Sequence, residues 1–552
     1  MSGNGASSME RNVWWKTGMA GVWAIALGTV IVHVATGWRY GFNRDELMAL
    51  EDARHLAWGY VQYPPMTAFF GCVALKLFGT SLVGFRLFAA VAQALALVLA
   101  GMTAKAQGGG RWAQVVAAAA GVPFCLGGGA LMQYISFDYV CWVLVAYAVV
   151  RVLEGESTGT NSSAKWWVVV GLGIGLGMLA KWTMGVLALG VVAGVVATRA
   201  RRYLRSGWLW AGVLVAMAVW APNVWWQWER GFPSIEFLRF LHERDVKEGL
   251  TNWFLPGQLE LTLLAFPLAA AGLWFYFFDE DGEQWRVIGW MYLVPLVVLV
   301  VMRGRDYYLA PAYPMLYAGG AVWAEKQWRV RGGSRSQVRG TSLKLASMMR
   351  KWLPVMLVVD AIVAGCVALP IMPVNSWWWK MAAQVDTVLP EELGWEELTE
   401  TVARVRDGLP EGERGRLGIL ARNYGEMGAL NLYGEKYGLP RAISGVNSSW
   451  ERGYGNPPPE TLIVVGYTRE FLEMHFASCE LVAHPWNRYG VANEETIENP
   501  DIFVCRELRE SWEEFWKGLR LFASEGFGEN VPLRNTRYEE AGARNQNIWS
   551  ET

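Results

Sequence analysis

Histidine and cysteine are scarce in this chain, with 5 and 6 residues among 552. None of them falls in the spacing of a zinc site, so a zinc-built domain is excluded. Charge is sparse as well: Asp, Glu, Lys and Arg make up 18% of the residues against 53% hydrophobic, and mean hydropathy is positive. Such a balance leans away from a purely soluble chain. An overall excess of one sign is also missing, the formal net charge being −1. That near-neutral total hides a split. Residues 381–552 hold 17 Lys and Arg against 29 Asp and Glu, which leaves 32 against 21 for the first 380. A basic, apolar part is thus joined to an acidic, soluble one.

Apolar runs long enough to cross a bilayer fill the first part. They lie near 17–37, 82–104, 112–131, 137–153, 166–180, 183–198, 208–226, 257–278, 287–302, 307–325 and 352–373. The first has no small-residue cleavage site and is followed by further runs, so it reads as a signal anchor. Eleven crossings put four basic groups on one side: Arg11 with Lys16, Lys105 with Arg111, the arginines of 199–205, and the run from Lys326 through Arg331, Arg335 and Arg339 to Lys351. The positive-inside trend makes that side cytoplasmic and places the C-terminal part outside. The expected division is a membrane domain at 1–373 and an exported domain at 374–552.

Between the first two runs, residues 38–81 form an unusually long external connection. A helix is expected from Asp45 to Trp58, broken by Pro64-Pro65, and an interfacial helix over 66–78. In the exported part, 417–421, 461–467, 480–483 and 502–506 read as strands and 396–408 and 511–522 as helices. The fold class is an all-α membrane bundle plus a small α/β or α+β unit. The tail from about Val531 has no apolar period and is expected to be poorly ordered. Cys72, Cys125, Cys141 and Cys366 lie in or beside apolar runs and read as packing residues. Cys479 and Cys505 are exported, where a disulfide persists.

Three clusters carry candidate chemistry. Asp45 and Glu46 follow Asn43 just beyond the first run. Asn43 caps a helix whose positive end the two acids favour, and a carboxylate where membrane meets water also suits deprotonation of a hydroxyl. Asp138 sits at the outer end of another run, on the same side. Arg303 and Arg305 precede Tyr307 and Tyr308 on the side where arginine is disfavoured, and an anionic lipid phosphate would account for them. Lys181 and Arg86, near outer ends, are weaker candidates for that role, because snorkelling explains each alone. His55 and His242 are the histidines placed to reach an external site. Gly171, Gly173, Gly175 and Gly177 imitate a dinucleotide loop but lie inside an apolar run, where small residues pack helices. Asp360, within the last run, is expected to face protein.

An acidic pair in the first external loop, then Tyr63-Pro64-Pro65, then Gly304-Arg-Asp-Tyr-Tyr-Leu-Ala-Pro-Ala-Tyr-Pro314, resembles the glycosyltransferase family 39 type of GT-C enzymes. That type includes protein O-mannosyltransferases and lipid A aminoarabinose transferases. The segment from Ala421-Arg-Asn-Tyr-Gly-Glu426 to Ser448 is similar to a C-terminal domain carried by many bacterial members. The resemblance implies a GT-C helical bundle that moves a sugar from a polyprenyl-phosphate donor to a lipid, glycan or protein acceptor. This would occur on the outer face of a bacterial inner membrane. It makes Asp45 the catalytic acid with Glu46 beside it, and Asp138 a second acid. His55, Tyr63, Tyr307 and Tyr308 would line the substrate cavity. Aminoarabinose transferases carry Lys immediately before Pro-Pro, where this chain has Tyr63, so Arg303 or Arg305 becomes the expected phosphate ligand. A divalent metal is compatible with such a site but not required, and no nucleic-acid partner is expected. The rival readings are a lipid or solute transporter, which would place charges at midplane, and a non-catalytic scaffold presenting the exported domain.

Overall fold

The computed structural model describes residues 18–158, 161–329 and 340–522. Arg11, Lys16, Arg331, Arg335, Arg339 and the tail from Val531 lie outside the described residues.

Helices α1 (Met19–Thr36), α2 (Arg44–Arg54), α3 (Met66–Phe78) and α4 (Leu82–Ala106) open the chain. There follow α5 (Arg111–Ala120), α6 (Val122–Gly128), α7 (Tyr134–Thr158), α8 (Trp166–Ala180) and α9 (Met184–Ala197). The membrane part continues with α10 (Gly207–Glu229), α11 (Pro233–Lys247), α12 (Phe254–Thr262), α13 (Phe266–Phe278), α14 (Arg286–Val301), α15 (Tyr313–Arg329) and α16 (Gly340–Ala368). Among the described residues, 8 helices are long and apolar enough to cross a membrane, or 9 if the bent segment Met184–Ala197 with Arg199–Arg205 is one span. The protein is a multi-pass membrane protein. Three of the eleven expected runs are not among the 8, and the one at 183–198 is the bent segment. The run at 112–131 is divided at Gly121 between α5 and α6, and 307–325 begins with a 3-10 turn before the 17-residue α15. Yet α15 packs against α13, α5 and α4 in the middle of the bundle, with Tyr313–Ala324 buried.

Small residues permit the closest approaches. A Cβ on Gly171 would lie 1.9 Å from the Gly212 carbonyl oxygen, so the glycine-rich stripe of α8 is a seat for α10. Buried Asp360 of α16 meets the backbone N–H of Leu264, where α12 gives way to α13 and a helical N–H needs an acceptor. That is the partner the sequence leaves unnamed.

Helices α17 (Trp377–Val385), α18 (Trp395–Gly408), α19 (Glu411–Arg414) and α20 (Tyr424–Tyr433) lead into and through the C-terminal domain. Its sheet comprises β1 (Leu417–Ala421), β2 (Ala442–Ile443), β3 (Thr461–Val465), β4 (Phe476–Ala483) and β5 (Ile502–Leu508), in the order β2-β1-β3-β5-β4. β1 runs parallel to β2 and β3, whereas β5 is antiparallel to β3 and β4. Every residue of β1 and β3 is buried, as unbroken apolar strands covered on both faces must be. The two-residue β2 is too short to announce itself by alternation. Cys479 and Cys505 face each other across β4 and β5 and are disulfide-bonded.

The parallel pair β1 and β2 is joined through α20, and α20 rests on α2 of the long first loop. A Cβ on Gly428 would come within 2.8 Å of the Leu47 carbonyl oxygen, so glycine there sets the distance between the helices. Around this contact Arg452 pairs with Asp52, Arg441 with Glu51 and Arg44 with Glu494. Leu47, Leu50 and Phe85 share one apolar core with Ile419, Ile463 and Val504. The C-terminal domain is thereby fastened to the acidic helix that follows the first span.

Candidate functional site

α2 begins with a capping box in which the Asn43 side chain and the Glu46 carboxylate each satisfy the other residue's backbone N–H. This fixes neighbouring acids in opposite surroundings. Glu46 is fully buried and ion-paired to Arg86 of α4 at 2.7 Å, and it also accepts from the Met132 backbone N–H at 2.9 Å. Asp45, one residue earlier, is only half-buried and lines a cavity of about 210 Å³. Its Oδ1 accepts a 3.0 Å hydrogen bond from the Tyr424 hydroxyl, and Gln133 Nε2 lies 3.5 Å from Oδ2.

The cavity gathers distant parts of the chain. Tyr63 and Pro64 come from the first loop, Tyr134 from α7 and Lys181 from the break between α8 and α9. Arg305, Tyr307 and Tyr308 follow α14, Arg244 belongs to α11, and Tyr424 and Asn447 belong to the C-terminal domain. Among the described lining residues Asp45 is the single acid, facing three cations: Lys181, Arg244 and Arg305. The Lys181 ammonium lies over the rings of Tyr308 (4.1 Å), Tyr307 (4.7 Å) and Tyr134 (5.2 Å), so three aromatic faces offset its loss of water. Arg305 clamps Asp245 through Nε and Nη2, both at 2.6 Å, and Arg244 reaches the same carboxylate at 3.0 Å. Burial works against the Asp245 charge, but the two guanidinium groups outweigh it and hold the carboxyl below its usual range.

Not every expected residue belongs to this site. Arg86 is buried and spent on Glu46 and Glu392 (3.0 Å), so it ties α4 to α2 and to the entrance of the C-terminal domain. Burial pushes the Glu392 carboxyl up to about 8 even with Arg86 beside it. Asp138 is buried, with its two oxygens taken by Trp142 Nε1 and the Thr183 hydroxyl, both at 3.0 Å, and it is absent from the lining. Its place one turn inside α7 sets it behind the lining, with the Lys181 ammonium as its charged neighbour. Arg303, in a left-handed turn at φ 48°, is exposed and does not line the cavity. His55 ends α2 and borders a separate cavity of about 480 Å³ against the C-terminal domain. Tyr63 does line the site, although it is buried and its hydroxyl donates to Asp52 at 2.6 Å.

Several polar lining residues were not singled out from the sequence, among them Arg244, Gln133, Tyr134 and Tyr424. The stretch of Arg244 reads as an external loop but forms α11, where Pro233 starts the helix and Phe237, Leu238 and Leu241 repeat at helical spacing toward the cavity. That period was the available signal.

The buried pair sets one stability expectation. Arg86→Ala leaves Glu46 and Glu392 without their cation and should cost about 3–5 kcal/mol. Thermal unfolding in detergent checks it, and an unchanged midpoint would return Arg86 to the list of cavity candidates.

The arrangement of helices, first loop and C-terminal sheet has the fold of ArnT. Residues 62–226 match the family model described as dolichyl-phosphate-mannose-protein mannosyltransferase. Among solved structures, ArnT from Cupriavidus metallidurans bound to undecaprenyl phosphate superposes with a TM-score of 0.55 at 15% identity, over 87% of this chain and 97% of that one. Its apo form gives 0.55 at 14% identity, with the same coverage of both chains. No curated protein matches the sequence.

Proposed function

We propose that this protein is a membrane glycosyltransferase that moves a sugar from a polyprenyl-phosphate donor to an acceptor hydroxyl. The observation that carries the reading is the cavity in which one carboxylate, Asp45, faces Lys181, Arg244 and Arg305. A lipid phosphate fits the cationic side, with guanidinium groups as bidentate ligands and Lys181 as a point charge. The apolar wall of Phe237, Leu238 and Leu241 suits a prenyl chain. That ArnT was solved with undecaprenyl phosphate supports the choice of donor.

The chemistry follows from charge. Asp45 takes the proton of the acceptor hydroxyl as its oxygen bonds to the anomeric carbon. The bond from that carbon to the phosphate oxygen breaks, and the electron pair leaves with the polyprenyl phosphate. Arginine and lysine stabilise that charge as it grows. A single base, with no second carboxylate among the described lining residues, suits one displacement and therefore inversion at the anomeric carbon. Incubating the purified protein with a panel of undecaprenyl-phosphate sugars and membrane extract, followed by mass spectrometry of products, tests the reading. Donor uptake into vesicles without product would favour a transporter instead.

The cavity is proposed to open on the periplasmic side of a bacterial inner membrane, with residues 1–373 as the membrane domain and 374–552 as the exported domain. In a background lacking the free cysteines, Gly455→Cys should react with an impermeant maleimide in intact spheroplasts and Asp281→Cys should not. The opposite pattern would move the whole site to the cytoplasm.

A further inference from the structure

The C-terminal domain supplies Tyr424 and Asn447 to the cavity lining, and Tyr424 meets the carboxylate assigned as base. Tyr424 is the first residue of α20, directly after β1. A second capping box, with Asn423 and Glu426 satisfying each other's backbone N–H, fixes where that helix starts. The ring is held by the Arg44 guanidinium 4.9 Å from its centroid, and Arg44 is anchored by its ion pair with Glu494. Two glycines allow the approach. A Cβ on Gly425 would meet Trp395 at 2.8 Å and the Arg44 Cβ at 3.0 Å, and one on Gly428 would meet the backbone of Leu47. Burial pushes the Tyr424 hydroxyl above its ordinary range, so it stays protonated and donates to Asp45.

We propose that the C-terminal domain is a working part of the active site, with Tyr424 the positioning residue that holds the Asp45 carboxylate in its reactive orientation. The inference rests on the transferase reading above. With Oδ1 occupied by Tyr424, Oδ2 is the oxygen left to receive the acceptor proton. Gln133, at the long distance of 3.5 Å, is a weaker restraint on that oxygen. A base free to rotate about its side-chain bonds spends less time in line with the hydroxyl, and a displacement near 1 Å costs on the order of 10²-fold in rate.

The test uses the full-length protein in nanodiscs. The substrate is an undecaprenyl-phosphate sugar that turns over, and undecaprenyl phosphate is the binding probe. Tyr424→Phe keeps the ring over Arg44 and loses only the hydroxyl. It should lower kcat by about 10- to 100-fold, with undecaprenyl phosphate affinity and thermal midpoint as in the wild type. In an Asp45→Asn background the same change should have almost no further effect, because there is no base left to orient. A merely structural tyrosine would lower activity by the same factor in both backgrounds. Wild-type kcat in Tyr424→Phe, or equal loss in both backgrounds, overturns this inference and leaves the transferase reading standing. Full activity in Asp45→Asn removes the base, and this inference with it, while the transferase reading stands; no turnover of any panel sugar by the wild type overturns both.

Discussion

Asp45→Asn is expected to lower turnover of an undecaprenyl-phosphate sugar by about 10²–10⁴, the contribution typical of general-base assistance. The substitution keeps the size of the side chain, and the amide oxygen can still accept from the Tyr424 hydroxyl that now lies 3.0 Å from Oδ1. The helix start depends on Asn43 and Glu46 rather than on Asp45. Folding, detergent stability and undecaprenyl phosphate binding should therefore stay near wild type while chemistry stops. The neighbouring change Glu46→Gln should behave in the opposite way. It strips a buried ion pair with Arg86 and should reduce stability before it affects the cavity. Retention of full activity by Asp45→Asn would remove the proposed base. If Asp138→Asn were the inactive variant instead, the buried acid behind the lining would have to be brought into the mechanism.

Arg305→Ala should cost about 10²–10³ in turnover and weaken undecaprenyl phosphate binding, as loss of one charge-stabilising donor does. Arg305 lines the cavity while two of its nitrogens are fixed on Asp245, so its guanidinium is pre-oriented before any donor arrives. Asp245 belongs to α11, and the clamp therefore also holds the helix that supplies Arg244, Phe237 and Leu238. Arg305→Lys keeps a charge but cannot fork onto Asp245, and its activity should lie between wild type and alanine. Asp245→Asn separates the two roles: if orientation matters, donor affinity falls although every cavity cation remains. Unchanged undecaprenyl phosphate affinity in Arg305→Ala would assign the arginine to holding α11, and Lys181→Ala would then be the variant that loses the donor.

Much of the membrane part was legible because its signals are local. An apolar run needs no partner to be recognised, and α3 occupies the expected 66–78 because Pro64-Pro65 and Gly79 bound it. The strand at 417–421 was equally plain, being a short apolar run between turns. Asp45 stands out by its place after a span and Arg305 by its clustering with Arg303 at a span end, and both line the cavity.

Roles within pairs were another matter. Nothing in Asp45-Glu46 says which acid faces water. The capping box and the 100° step of the helix send one to the cavity and the other to Arg86. Arg303 and Arg305 look equivalent in sequence, yet a left-handed turn exposes the first while Asp245 captures the second. Tyr424 and Gln133 stand 379 and 88 residues from Asp45, distances over which a local pattern carries no information.

The sequence alone determined the membrane class, the long acidic loop after the first span and the existence of a separate C-terminal unit. These follow from composition and short-range period, which act through hydrophobicity and local backbone preference. Tertiary structure decided which acid and which cations share a cavity, and that the C-terminal domain closes it. Such choices depend on helix packing and on glycines that let α20 lie against α2, and only the folded chain brings those surfaces together.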